Sequence, residues 1–137
     1  LRDKTIEFED DEKLTSLFTE AINELNPSLI ITFYPGYSVH PDHEATARAV
    51  VRAVERMEEK ERPKLHCVAF SNNCIDELGQ PDIIHDISAV KEKKVATFTA
   101  HRSQTQAMVI DWKEKFENQD ADFLDWIRKE RLWTYKF

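Results

Sequence analysis

The sequence predicts an α/β fold in which a mostly parallel sheet is flanked by helices. Residues 28–33 and 65–70 are short apolar runs without alternation, the pattern of strands buried on both faces of a parallel sheet. Between the two runs, apolar residues recur at helical spacing. A strand, a crossover helix and a second strand form a parallel βαβ unit. At 137 residues the chain has the length of one domain.

The first half of the chain contains two predicted helices. One begins after Asp10 or Asp11 and ends at Pro27, and the other covers residues 41–57 after a turn at Pro35 and Gly36. Each helix carries one apolar stripe. The stripe residues are Leu14, Leu17, Phe18, Ala21, Ile22 and Leu25 in the first helix, and Ala49, Val50, Ala53, Val54 and Met57 in the second.

The second half is predicted to be mainly helical. Residues 82–87 form a third strand, and helices follow Ser88 with a break at residues 101–103. A last helix contains Phe123, Leu124 and Ile127, and residues 133–137 form a final strand. The aromatic side chains here are expected to form core packing rather than a sugar platform.

Composition narrows the function classes. A net charge of −7 argues against a nucleic-acid partner, which usually requires a basic face. No long uncharged apolar stretch predicts a signal peptide or a membrane span, so a cytoplasmic location is expected. Cys67 and Cys74 fit neither a redox pair nor a four-cysteine zinc site and are expected to be reduced. Gly36 and Gly79 are the only glycines, which excludes a glycine-rich phosphate loop.

The strongest functional signal is His40-Pro41-Asp42-His43, which lies where a predicted strand leads into a helix. Ligands and metals often bind there, beside the carboxyl ends of parallel strands. Pro41 is suited to the first helical position, which puts His40 just before the helix and His43 in its first turn. The positive end of the helix dipole disfavours an imidazolium at His43, so its lone pair is available to a metal.

Two interpretations of the neighbouring acids remain open on spacing alone. Asp42 could accept a hydrogen bond from His40, fix its tautomer and favour a cationic His40 beside a developing oxyanion. Alternatively, Asp42 and Glu44 only complement the helix dipole, and both histidines face solvent.

Residues 34–46, YPGYSVHPDHEAT, resemble the second signature of the LmbE/PIG-L zinc deacetylases. Lys94-Val95-Ala96 and His101-Arg102-Ser103-Gln104 resemble a later K-x-x-A and H-x-S-Q segment of that family, and Leu1-Arg2-Asp3 resembles the loop before the signature. The details are most similar to the deacetylases of bacillithiol biosynthesis.

The resemblance implies a Rossmann-like domain that uses one zinc ion to deacetylate an N-acetylglucosaminyl conjugate, with N-acetylglucosaminyl malate as the expected substrate. It implies that His43 binds zinc, that His40 stabilises the oxyanion and that Asp42 orients His40. Asp3, Tyr37 and His101 are the expected contacts to the sugar, although a histidine at a helix end is also common for structural reasons. The expected partner is therefore a small amino sugar, and a homo-oligomer is possible.

One signature of the family is missing from the sequence. The first signature, H-P-D-D-E, which supplies two further zinc ligands and the general base in that family, does not occur in the sequence. The chain also starts with Leu1 rather than Met. We therefore expect residues 1–137 to be a single, N-terminally truncated domain, the C-terminal part of a longer enzyme, and to be inactive alone.

Two other function classes remain. A metal-dependent phosphohydrolase would use His40, His43, His85 and Asp86, although His85 and Asp86 lie in a strand-like context rather than on a helix. A non-catalytic metal-binding or interaction module is the third class. His66 lies inside a predicted strand and is expected to be a packed core histidine.

Overall fold

A computed structural model describes residue 2 and residues 4–137. The predicted α/β class is confirmed: a four-stranded sheet with strand order β1-β2-β4-β3 is accompanied by helices. The elements are α1 (Asp11–Leu25), β1 (Leu29–Phe33), α2 (Pro41–Glu55), β2 (Lys64–Val68), α3 (Cys74–Leu78), β3 (Ile83–Asp86), α4 (Lys91–Ala100), α5 (Arg102–Glu117), α6 (Ala121–Arg128) and β4 (Lys129–Thr134).

The predicted βαβ unit is confirmed. β1 and β2, which α2 connects in the sequence, pair in parallel with Ile31 opposite His66. The sheet as a whole is mixed, because β2 pairs with β4 in antiparallel orientation, with Cys67 opposite Trp133. The last strand was predicted at residues 133–137, but β4 begins earlier, at Lys129.

The chain divides into two compact units. The first contains the residues up to Ile83 together with Leu132–Phe137, and the second is Ile84–Arg131. In the first unit, α1 and α2 pack together on one face of β1 and β2, as their apolar stripes predict. The buried residues shared by these elements are Ile22, Val50, Val51, Ala53, Val54, Leu65 and Cys67.

Sequence-local signals set the ends of α1. The side chain of Asp10 accepts a hydrogen bond from the Lys13 N–H at the start of the helix, and Asn26 ends it in the left-handed conformation. On the outer side, Arg56 forms a bidentate pair with Glu12, with both nitrogens 2.8 Å from a carboxylate oxygen. The Arg56–Glu12 pair is exposed and links α1 to the residue that ends α2, the helix that carries the candidate site.

The prediction that residues 28–33 form a strand buried on both faces is wrong. In β1, the side chain of Ile31 is 63% exposed. The reason is that successive side chains of a strand point to opposite faces: Ile30 packs against the core that α1 and α2 share, whereas Ile31 lies on the other face, which is left exposed. β1 also lies at the end of the described sheet, with β2 as its hydrogen-bonded neighbour. An apolar groove of about 490 Å³ lies along β1, with Phe18 and Leu25 of α1 in its wall.

The second unit is built around aromatic side chains. Trp112, Phe123 and Ile127 form its buried cluster, and Phe98 and Leu124 pack against it. The predicted core packing is confirmed for Trp112, which is 4% exposed, whereas Trp126 is 37% exposed. The predicted helix break is confirmed at the α4–α5 junction.

Neither cysteine forms a disulfide within the described residues, in agreement with the predicted reduced thiols. Cys67 is fully buried, and this burial raises the pKa of its thiol to about 12. Among residue 2 and residues 4–137, every helix is too short or too polar to span a lipid bilayer.

Candidate active site

The two histidines of the motif lie side by side where β1 leads into α2. His40 is the N-cap of α2 and Pro41 is the first helical residue, as predicted. The extended conformation of His40 follows from the proline after it, which disfavours the helical region for the preceding residue. The His40 and His43 ring centroids are 5.1 Å apart.

His40 is oriented by the backbone of Asp42 and not by its carboxylate. The Asp42 N–H donates to Nδ1 of His40 at 3.1 Å. A nitrogen that accepts a hydrogen bond carries no proton, so a neutral His40 has its proton on Nε2. The predicted hydrogen bond to the Asp42 side chain is therefore wrong, whereas the cationic His40 stays a prediction.

The Asp42 carboxylate instead holds the segment that precedes α1. Oδ2 accepts from the Lys4 N–H at 2.7 Å, and Oδ1 accepts from the Glu7 N–H at 3.1 Å. The residue is only 5% exposed. A buried carboxylate that uses both oxygens on backbone donors ties this segment firmly to the start of α2.

Glu44 makes a matching pair of contacts on the loop between β1 and α2. Its Oε2 accepts from the Gly36 N–H and its Oε1 from the Ser38 N–H, each at 2.7 Å. Thus neither Asp42 nor Glu44 merely complements the helix dipole, and that alternative is wrong for both. The first turn of α2 connects two separate backbone segments through these two side chains.

His43 is held by aromatic packing. Its ring stacks on Phe33 with centroids 4.0 Å apart and planes 10° from parallel, and Phe70 lies 6.3 Å away. Its Nδ1 is buried and has no hydrogen-bond partner among the described residues. An unpaired buried nitrogen costs about 1–3 kcal/mol, which a metal ion or a further donor would recover. The imidazole thus fits the role of one zinc ligand.

The rest of a zinc site is not assembled by the described residues. Among residue 2 and residues 4–137, no group of three or more His, Cys, Asp or Glu side chains converges closely enough to hold a metal ion. Since a catalytic zinc usually takes three protein ligands, His43 alone does not complete the set.

Tyr37 lies in the same loop as His40. Its hydroxyl donates to Oε2 of Glu77 at 2.8 Å, and this hydrogen bond raises the pKa of the phenol. Its carbonyl accepts from the N–H groups of Phe70 and Ser71 at 2.7 and 3.1 Å. Both ends of Tyr37 are therefore fixed, and its side chain is only partly buried.

The two other predicted sugar contacts are Asp3 and His101. Asp3 is outside the described residues. His101 is exposed at the α4–α5 junction of the second unit, where its carbonyl accepts from the N–H groups of Gln104 and Thr105. Its predicted contact with a sugar stays a prediction.

His85 and Asp86 lie on β3 and are exposed. The Asp86 carboxylate accepts a hydrogen bond from the Ser88 N–H, which lowers the pKa of Asp86. The phosphohydrolase alternative needs a helix to present this pair, and β3 does not provide one. His66 is half-buried on β2, and its Nδ1 is buried with no partner among the described residues.

The sequence did not indicate the roles of two residues at the site, Glu44 and Glu77. Glu44 was considered only as a first-turn acid, although its place one residue after the motif was visible. Glu77 is distant from Tyr37 in the sequence, and no local pattern indicates their contact.

Known proteins match this chain over most of its length. The family described as GlcNAc-PI de-N-acetylase (PIG-L) matches residues 1–54. A Bacillus cereus protein named probable N-acetyl-α-D-glucosaminyl L-malate deacetylase 2 is 50% identical over 98% of this chain and 61% of its own length. A Bacillus subtilis protein of the same name is 44% identical over all of this chain and 62% of its own.

A Bacillus anthracis protein, also of that name, is 40% identical over 99% of this chain. The chain spans about three fifths of the length of these relatives. The matched signature lies within residues 1–54, where the structure places His40, Asp42 and His43 together. The chain is thus similar to the PIG-L family over residues 1–54, and over nearly its whole length to about three fifths of each of the three relatives.

Proposed function

We propose that the protein is a zinc-dependent deacetylase that hydrolyses the acetamide of N-acetylglucosaminyl L-malate, a step in bacillithiol biosynthesis. Water is consumed, the amide C–N bond breaks, and acetate and a free glucosaminyl amine are the products. The observation that carries the proposal is the pair of histidines at the start of α2. Its support from outside the chain is the three relatives at 40–50% identity, each named a probable N-acetyl-α-D-glucosaminyl L-malate deacetylase.

His43 is the zinc ligand in this proposal. Its unpaired, buried Nδ1 and its rigid stacking on Phe33 support this role. When bound, zinc supplies the Lewis acidity that activates water near neutral pH and polarises the amide carbonyl.

His40 donates a hydrogen bond to the oxyanion that develops on the amide carbonyl. The Asp42 N–H on Nδ1 leaves the proton of the neutral ring on Nε2, where it is available as a donor. Such a donor contributes about 3 kcal/mol to transition-state stabilisation, or roughly a hundredfold in rate.

Asp42 acts in two ways. Its N–H orients His40, and its carboxylate holds the Lys4 and Glu7 backbone. The segment so held adjoins Asp3, the expected sugar contact. Tyr37, fixed by Glu77, is the second expected contact, and His101 is the third.

Residues 1–137 are, in this proposal, one part of the catalytic domain and are inactive alone. The support is the coverage of about three fifths of the relatives, together with the exposed apolar edge of β1. A further strand parallel to β1 would end beside the carboxyl end of β1, where His40 and His43 follow. Residues after such a strand would supply the remaining zinc ligands.

The test is acetate release from N-acetylglucosaminyl L-malate, measured with the 137-residue chain and with the full-length gene product. We expect activity only in the full-length protein, loss of both zinc and activity with His43→Ala, and roughly a hundredfold lower kcat with zinc retained in His40→Gln. A full-length protein that binds zinc but releases no acetate would contradict the proposed substrate. A fully active 137-residue chain would contradict the incomplete site.

A further inference from the structure

We infer that Glu44 is a positioning residue: it holds a strained turn at residues 38–40 and thereby sets the direction of the His40 ring. The inference rests on the proposed function of His40, but the contacts that carry it do not involve zinc or substrate. They are four short hydrogen bonds in the loop between β1 and α2.

The turn is centred on Val39. The His40 N–H donates to the Ser38 carbonyl at 2.7 Å, which closes a three-residue γ-turn. Val39 has φ of 65°, a left-handed conformation that is unfavourable for a β-branched residue. Its side chain is 71% exposed, so packing does not account for the conformation. Strain of this kind persists only where surrounding contacts impose it.

Glu44 and Ser38 impose the turn. Ser38 is 1% exposed, and its Oγ donates to the Tyr34 carbonyl at 2.7 Å. Its N–H donates to Oε1 of Glu44 at 2.7 Å, while Oε2 accepts from Gly36 at the same distance. Ser38 is therefore fixed on its N–H, its side chain and its carbonyl, and the turn that starts there has little freedom.

The Glu44 carboxylate and the Gly36 and Ser38 N–H groups that it binds form a clamp, which connects the loop to the helix that His40 caps. Glu44 is the fourth residue of α2, and its own N–H donates to the His40 carbonyl at 3.0 Å. Glu44 therefore contacts the chain on both sides of the strained Val39. Its carboxylate accepts from Gly36 and Ser38 before Val39, and its N–H donates to the His40 carbonyl after it. A carboxylate is required because both of its oxygens accept, whereas a Gln amide would present its own donors to one backbone N–H.

The first test uses the 137-residue chain labelled with ¹⁵N-glycine and ¹⁵N-histidine. Gly36 and Gly79 are the only glycines, so the glycine spectrum has one reporter at the clamp and one internal control. We expect Glu44→Gln to move the Gly36 amide resonance and leave Gly79 in place. We also expect the His40 ring nitrogens to show a single Nε2–H tautomer in the wild type and a mixture in Glu44→Gln. The matched control is Glu55→Gln, an exposed glutamate on the same helix.

The second test uses the full-length protein. We expect Glu44→Gln to lower kcat roughly tenfold or more while KM and zinc content change less than twofold, because a misdirected His40 weakens transition-state contacts and not ground-state binding. Glu55→Gln should leave both parameters unchanged. An unmoved Gly36 resonance, an unchanged His40 tautomer or an unchanged kcat would overturn the inference. A wild type without deacetylase activity would overturn the proposed function instead, and the spectra would still decide whether Glu44 holds the turn.

Discussion

Asp42→Asn tests whether the carboxylate of Asp42 holds the backbone that precedes α1. Hydrogen bonds to a charged group contribute about 1.5–3 kcal/mol each, and Asp42 accepts two from a site that is only 5% exposed. An asparagine keeps one acceptor oxygen but turns an N–H₂ group toward the other donor. We therefore expect the free energy of unfolding of the first unit to fall by about 2–3 kcal/mol. A first-turn acid that only complements a helix dipole would contribute about 0.3–1 kcal/mol.

Amide hydrogen exchange is the appropriate assay because the chain has two compact units, which need not unfold together. The amides of Lys4 and Glu7 should lose protection most strongly, and urea unfolding followed by circular dichroism should give the global loss. Asp122→Asn is the matched control, since Asp122 is an exposed first-turn acid of α6. A loss below about 0.5 kcal/mol with unchanged exchange at Lys4 and Glu7 would show that the Asp42 carboxylate does not hold this backbone.

Two further predictions concern the core and the sheet edge. Burial raises the pKa of the Cys67 thiol from 9.0 to about 12. Between these pH values the thiol stays protonated in the native chain and ionises in the unfolded chain. The free energy of unfolding should therefore fall as the pH rises from about 9 toward 12. In a Cys74→Ser chain, a thiol reagent at pH 8 should label Cys67 only upon unfolding, and labelling of the native chain at the rate of a free thiol would contradict this. Ile31→Lys should change the stability of the 137-residue chain by less than about 0.5 kcal/mol, because the side chain is exposed. The same substitution should lower the proposed deacetylase activity of the full-length protein, in which further residues are proposed to pack along β1. A large loss of stability in the 137-residue chain would contradict the exposure of Ile31.

Much of the fold was predictable because the signals are local. The helical stripe that includes Leu14 and Ile22 gave α1, and the stripe that includes Val50 and Val54 gave α2. The exposure of Ile31 was not predictable, since an apolar run indicates a strand but not which neighbours it has. The direction and early start of β4 were missed for the same reason, because both depend on pairing with distant residues.

The site was predictable in its residues and not in its contacts. His40 and His43 were placed correctly by the motif and by the helix-starting role of Pro41. The partner of Asp42 was not, because Lys4 and Glu7 are 38 and 35 residues away in the sequence. A spacing pattern tells which side chains start a helix, but it does not tell which backbone donors fold back onto them.

Zinc per chain, measured by elemental analysis, decides whether residues outside this chain complete the proposed zinc site. The measurement compares the 137-residue chain with the full-length gene product, each with and without His43→Ala. We expect stoichiometric zinc only in the full-length protein with His43 intact, because the described residues bring no group of three ligands together. Stoichiometric zinc in the 137-residue chain, lost on His43→Ala, would contradict the claim that the site is completed by residues outside this chain.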